Sequence, residues 1–282
     1  MARQNKTKLN RLERELPEGL LVNAPWLARH GFSRQLQNHY VAAKWLAQPA
    51  RGVFTRPRGK LTWQQVVISL QTLLEYPLVV GGRTALEMQG YAHYLSHAVT
   101  QVHLYGPKPP PSWLNELKLA TRFTYHNSRK LFRNDPITLG NSSLAWDTKS
   151  NQGTSNDPIH GNFIVQPWGQ WDWPLTLSTP ERAILELLDE LPGRETFEHA
   201  DKLMEGLVNL SPRRLQKLLK DCRNVKVKRL FFFFADRHQH SWLKRLDKKA
   251  VDLGKGKRML VKGGKLDPTY QITVPGDLNG LQ

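Results

Sequence analysis

Between Leu21 and Arg58 the chain reads LVNAPWLARHGFSRQLQNHYVAAKWLAQPARGVFTRPR. Asn23 has the side chain to cap a short helix over 24–30 whose Trp26 and Leu27 face inward, and Ser33 caps a second helix after a tight turn at Gly31 and Phe32. Two helices across a short glycine-containing turn make a helix-turn-helix. In the second helix Leu36, Tyr40 and Ala43 recur at i, i+4 and i+7 and pack on the first, which leaves Arg34, Gln35, Gln37, Asn38 and Lys44 on the outward side. Beyond it, Trp45-Leu46-Ala47 and Val53-Phe54-Thr55 flank a Pro49/Gly52 turn, the pattern of a small hairpin. A winged helix-turn-helix is the predicted result.

Arg, Gln and Asn are the side chains that pair bidentately with guanine and adenine edges in a major groove. Arg34, Gln35, Gln37 and Asn38 are therefore the candidate base readers, and Ser33, Lys44, Arg51, Arg56 and Arg58 the candidate phosphate contacts. The competing reading is an ordinary helix pair with a solvated polar face.

Charge placement points the same way. The 282-residue chain carries a net charge of +17: residues 1–60 contribute +9 and residues 211–265 contribute +14, while residues 61–210 are slightly acidic. Positive charge in two patches attracts a polyanion, with counterion release as the driving term. Nucleic acid, double-stranded DNA above all, is the leading partner class, with an anionic membrane surface as competitor. The longest apolar stretch, Leu230–Ala235, is six residues, against the roughly 20 a membrane span needs. Residues 1–10 are basic and polar and lack the apolar core of a signal peptide. Cys222 is the only cysteine, so there is no intrachain disulfide and no cysteine-based zinc site. A cytoplasmic protein is expected.

The Pro57–Lys60 stretch divides the chain into a winged domain, 1–60, which begins with a basic amphipathic helix over 5–16, and a C-terminal domain, 61–282. Within the latter, 61–178 is expected to be mixed α/β: a helix over 61–74, a strand at Leu78–Val80, a helix from Thr84 to about Leu95, and strands at 101–105, 123–126 and 163–166. A polar loop, Asn141–Asn156, interrupts it. Residues 179–282 are expected to be helical and basic, with cap-and-proline starts at Thr179-Pro180 and Ser211-Pro212. Val225–Phe234 reads equally as a strand or a buried helix start.

The chemistry present is sparse. Gly81-Gly82, after a strand and before a helix, has the form of a phosphate cradle and of the opening of a nucleotidyltransferase-like core. The following strand, Gln101–Tyr105, holds no carboxylate for magnesium, so that core is catalytically incomplete, and no enzyme activity or cofactor is expected. His93 and His97 share a helix face near His103, but without the spacing of a metal site they are read as packing, as is Cys222, and no metal is expected. Phe231–Phe234 is read as core. Arg213, Arg214, Lys217 and Lys220 on one helix form a candidate second nucleic-acid or partner surface.

The chain resembles the AbiEi family of antitoxins, the transcriptional-regulator half of type IV toxin–antitoxin systems in bacterial phage defence by abortive infection. The resemblance rests on Trp45-Leu46 with Gly52-Val53-Phe54-Thr55-Arg56-Pro57, on Gly81-Gly82-Arg83-Thr84-Ala85-Leu86-Glu87 with Gly90-Tyr91-Ala92-His93-Tyr94-Leu95, on Thr179-Pro180-Glu181-Arg182-Ala183, and on Leu253-Gly254-Lys255-Gly256-Lys257-Arg258 with Val261-Lys262-Gly263-Gly264. It implies a repressor of its own promoter, bound at inverted repeats through the winged domain. It also implies that the C-terminal part counters a nucleotidyltransferase toxin encoded beside it, without a stable complex. The loop at 141–156 departs from the family pattern. Two rival functions are an RNA-binding protein that uses the basic C-terminal region and has no promoter specificity, and an active nucleotidyltransferase.

Overall fold

The computed structural model describes residues 2–91, 99–134, 146–147, 152–153 and 162–279. His93, His97 and most of the 141–156 loop lie outside the described residues.

Helix α1 (Ala2–Glu15) leads into β1 (Leu21–Asn23), α2 (Ala24–Arg29), α3 (Arg34–Ala42), β2 (Ala47–Ala50) and β3 (Val53–Thr55). Asn23 Oδ1 accepts from the Trp26 N–H at 2.9 Å, and Pro25 sits in the first turn of α2, where no N–H has an intrahelical partner. Gly31 then turns the chain with φ of 83°, a left-handed conformation that favours glycine. The Ser33 hydroxyl starts α3 by accepting from the Leu36 N–H at 3.4 Å. The three strands form an antiparallel sheet in the order β1-β3-β2. The hairpin's first strand begins at Ala47 rather than Trp45, because the N–H groups of Trp45 and Leu46 both donate to the Tyr40 carbonyl and close the end of α3.

Helix α4 (Trp63–Thr72) begins with a reciprocal Thr62–Gln65 capping box. It joins two sheets. Ser69 Oγ accepts from the Leu21 N–H of β1 at 2.9 Å, and the buried amide of Gln71 donates to the carbonyls of Leu78 and Thr176, each at 3.0 Å. One hydrophobic core runs from Leu12 and Leu27 through Val66 and Ile68 to Leu175 and beyond.

The larger sheet contains β4 (Val79–Val80), β5 (Gln101–Gly106), β6 (Arg122–Asn127), β9 (Phe163–Trp168) and β10 (Trp173–Ser178), in the order β6-β5-β4-β10-β9. A separate short pair, β7 (Trp146–Asp147) and β8 (Gln152–Gly153), precedes β9. Pairs β5–β6 and β4–β10 are parallel and the other two antiparallel, so the sheet is mixed and the chain is of α/β class. Strand β10 is missing from the sequence reading. All six of its residues are buried, so no polar–apolar alternation marks it.

Helix α5 (Gly82–Met88) follows β4 and a short α6 (Ser128–Leu131) follows β6. Four helices come after β10: α7 (Pro180–Asp189), α8 (Phe197–Gly206), α9 (Pro212–Asp221) and α10 (Val225–His238). The hub is α7, which packs against α5, α8, α9 and α10. Val225–Phe234 is helical, and Phe231–Phe234 are buried in α10. The end of the chain is not wholly helical, since β11 (Lys265–Asp267) and β12 (Ile272–Val274) form a hairpin. Among the described residues no helix is long and apolar enough to cross a membrane.

Candidate nucleic-acid interface

Helix α3 turns Arg34, Gln35, Asn38 and His39 to solvent on one face. Tyr40 (3 % exposed) and Gln37 (4 %) lie on the other. Gln37 corrects the sequence reading: its Nε2 donates to the Phe32 carbonyl at 2.8 Å, so the amide satisfies the turn between the helices and cannot reach a base. Ala43 is likewise exposed, not packed inward, because the helix ends there. His39 is a face residue the sequence reading left out, although its spacing of four from Gln35 is visible in the sequence.

Of the candidate phosphate contacts, Ser33 is exposed at the start of α3, Lys44 is exposed just past its end, and Arg51 is exposed at the hairpin turn beside Gly52. Arg56 is not available. Its guanidinium donates to the carbonyls of Leu16 at 3.1 Å and Glu13 at 3.2 Å, meets Glu18 at 3.2 Å, and is 18 % exposed. It clamps the end of the hairpin onto the C-terminal carbonyls of α1, where a cation is also favoured by the helix dipole. Arg58 lies beyond the far end of β3 from the turn, 3.7 Å from Glu18 and over the ring of Trp171 at 5.3 Å.

The second surface keeps three of its four residues. Arg213, Lys217 and Lys220 form an exposed stripe along α9. Arg214 is instead held at 2.9 Å by the buried Glu181 of α7. The stripe gains cations that sequence position hid: the Arg133 N–H donates to Asp221 at 3.1 Å and the Arg223 N–H to Leu131 at 2.8 Å, so exposed Arg129, Lys130, Arg133 and Arg223 lie beside the end of α9.

Gly81 and Gly82 do not cradle an external anion. The Gly82 N–H, at the start of α5, donates at 2.9 Å to Glu186 of α7, which also accepts from Arg182 Nε at 2.7 Å and Ser178 Oγ at 3.1 Å. A Cβ on Gly81 would fall inside contact distance of both Glu186 and Tyr105, which explains why glycine stands there. The site is filled from within by a carboxylate that burial pushes above its usual range, against the opposing pull of Arg182 and the Gly82 N–H.

Beside it lies a buried polar chain. His103 Nδ1 is 3.0 Å from His126 Nε2, and His126 Nδ1 is 2.9 Å from Glu190, with Tyr105 stacked on the His126 ring. Burial, and next the adjacent His126, push the His103 imidazole down to about 4 despite the opposing pull of Glu195 and Glu190. Burial acts to raise Glu190, but its bonds to His126 and Arg194 outweigh that and carry it below the usual carboxylate value. His103 is thus neutral in the fold and titrates near 6.5 when unfolded. Its contribution is full above about pH 6.5 and is lost as pH falls toward 4, a loss of about 3 kcal/mol by linkage. Urea midpoints measured from pH 7 to 4 should fall steeply for the wild type and less steeply for His103→Asn; equal slopes would contradict this assignment. Glu190 acts in a more acidic window, below about 4.5.

Cys222 is buried, and burial pushes its thiol up to about 11, which suits packing and not reactivity. Among the described residues no group of three or more His, Cys, Asp or Glu is arranged to hold a metal.

Two family models match the sequence. One, described as the transcriptional regulator AbiEi antitoxin N-terminal domain, covers residues 5–97; the other, described as a transcriptional regulator, AbiEi antitoxin of a type IV toxin–antitoxin system, covers residues 163–275. Among solved structures, the crystal structure of the RV2827C protein from Mycobacterium tuberculosis is similar with a TM-score of 0.53, at 16 % identity, over 94 % of this chain and 88 % of that one. At that identity the likeness concerns the fold. No curated protein sequence matches the chain.

Proposed function

The chain belongs to the AbiEi family of antitoxin transcriptional regulators of type IV toxin–antitoxin systems, regulators and not enzymes, and from that premise we propose that it binds and represses its own promoter through residues 1–60. The order α1-β1-α2-α3-β2-β3 with a β1-β3-β2 sheet supports a winged helix-turn-helix. One observation carries the reading: Arg34, Gln35 and Asn38 share an exposed face of a helix that Gln37 and Tyr40 anchor from behind. These three read base edges. Lys44 and Arg51 contact phosphate, and Ser33 fixes the start of the reading helix by capping it. Arg213, Lys217 and Lys220, joined by Arg129, Lys130 and Arg133, offer a second cationic surface in the C-terminal domain.

The reading extends to a cytoplasmic repressor of a phage-defence operon that binds inverted repeats as duplex DNA. A nucleotidyltransferase toxin is the functional partner, countered without a stable complex by residues 61–282. The mixed sheet around Gly81-Gly82 is nucleotidyltransferase-like in outline and catalytically incomplete, with Glu186 where an anion would sit. The RNA-binding alternative makes the basic C-terminal region the source of affinity. Gel shifts on the upstream duplex separate the two. Arg51→Ala should weaken all duplexes and flatten the log–log salt slope by about one unit. If residues 61–282 alone shift the promoter as well as the whole chain does, the proposal fails.

A further inference from the structure

The tip of the β9–β10 hairpin, residues 169–172, leaves Trp171 46 % exposed. Between this tip and the N-terminal domain opens a cleft of about 430 Å³, walled by Trp171 and Trp173 on one side and on the other by three arginines, Arg14, Arg56 and Arg58, with the carboxylates of Glu13 and Glu18. That volume falls in the range of small-molecule sites, and a junction between two structural units is a favoured position for one.

The walls define what fits. Trp173 is 6 % exposed and stacks with Trp168 at 6.2 Å, so it is a fixed wall. Trp171 has Arg58 over its ring at 5.3 Å and keeps about half of its surface in solvent. Aromatic rings beside guanidinium groups are the platform on which nucleobases stack. Arg56 is locked by backbone carbonyls and by Glu18 at 3.2 Å. Arg58 is held by a 3.7 Å ion pair with Glu18, by the Trp171 ring and by the side-chain oxygen of Gln170, and the exposed Arg14 by one 3.3 Å bond from its Nε to the Asn10 carbonyl. The cleft therefore offers a half-exposed indole and two guanidinium groups at its rim, of which Arg14 is the less engaged. We propose that this cleft binds a nucleotide, with the base stacked on Trp171 and the phosphate held by Arg58 and Arg14.

The proposal does not depend on DNA binding, and its test contains no DNA. Calorimetric titration of the full chain with adenosine monophosphate should show one site per chain, with inorganic phosphate and adenosine each binding more weakly. Trp171→Ala should weaken the nucleotide by about 5- to 150-fold, the range for one stacked base, while Trp171→Phe should stay within a few-fold of wild type. Arg58→Ala should weaken the nucleotide and leave adenosine unchanged. No heat with adenosine monophosphate at millimolar concentration, or equal affinity in wild type and Trp171→Ala, would overturn the assignment. Trp171 is half in solvent, so its replacement leaves the core intact, and the Phe variant reports separately on the ring.

Discussion

Glu186→Ala is expected to lower stability by about 3–5 kcal/mol, the cost of breaking a buried ion pair by removing one partner. The carboxylate is fully buried and ties three elements together: the N–H of Gly82 at the start of α5, the hydroxyl of Ser178 at the end of β10, and Nε of Arg182 one turn earlier in α7. Alanine would strip an acceptor from each at once and leave a void beneath Gly81 and Tyr105. Domains are stable by only about 5–15 kcal/mol, so the variant should unfold at a much lower urea concentration with an unchanged denaturant slope. Glu186→Gln retains part of the hydrogen bonding and should lose less. A loss below about 1 kcal/mol for the alanine variant would mean that the contact between α5 and α7 does not depend on this group.

Arg34→Ala combined with Asn38→Ala should remove most sequence choice on the operator. Each bidentate base contact discriminates by about 1–3 kcal/mol, and the two, one helical turn apart and therefore coupled, should together cost more than one contact alone and up to about 6 kcal/mol on the specific site. Both side chains are exposed and neither anchors α3, so the fold and the binding to random duplex should change little. The ratio of specific to random affinity at one salt concentration is the quantity to measure. Gln37→Ala is the informative contrast: it deprives the Phe32 carbonyl of its donor at the turn and should lower melting temperature while leaving that ratio unchanged. An unchanged ratio in the double variant would remove α3 from base reading.

Local features were readable in the sequence and distant ones were not. The caps at Asn23, Ser33 and Ser211, the turn at Gly31 and the start at Thr179-Pro180 depend on neighbours within a few positions; a helix begins after each of the four cap positions, although the Thr179 side chain makes no capping hydrogen bond. Gln37 misled because hydrophobic periodicity sees a polar side chain as outward, whereas this amide binds a backbone carbonyl. Arg56 and Arg214 misled for a different reason: their partners, Leu16 and Glu181, lie 40 and 33 positions away. The same limit hid the cations of α6, which belong by position to an acidic stretch and reach α9 only through contacts at Asp221 and Leu131. Gly81-Gly82 resembled a cradle because the backbone geometry is that of one; what fills it is a carboxylate a hundred residues downstream.

Selection of a DNA site by α3 is tested most directly by footprinting of the region upstream of the gene. The full chain should protect paired half-sites, and the Arg34→Ala/Asn38→Ala variant should lose that protection at the same salt concentration while keeping the wild-type melting temperature. Protection of the same bases by that variant, or by residues 61–282 alone, would contradict it.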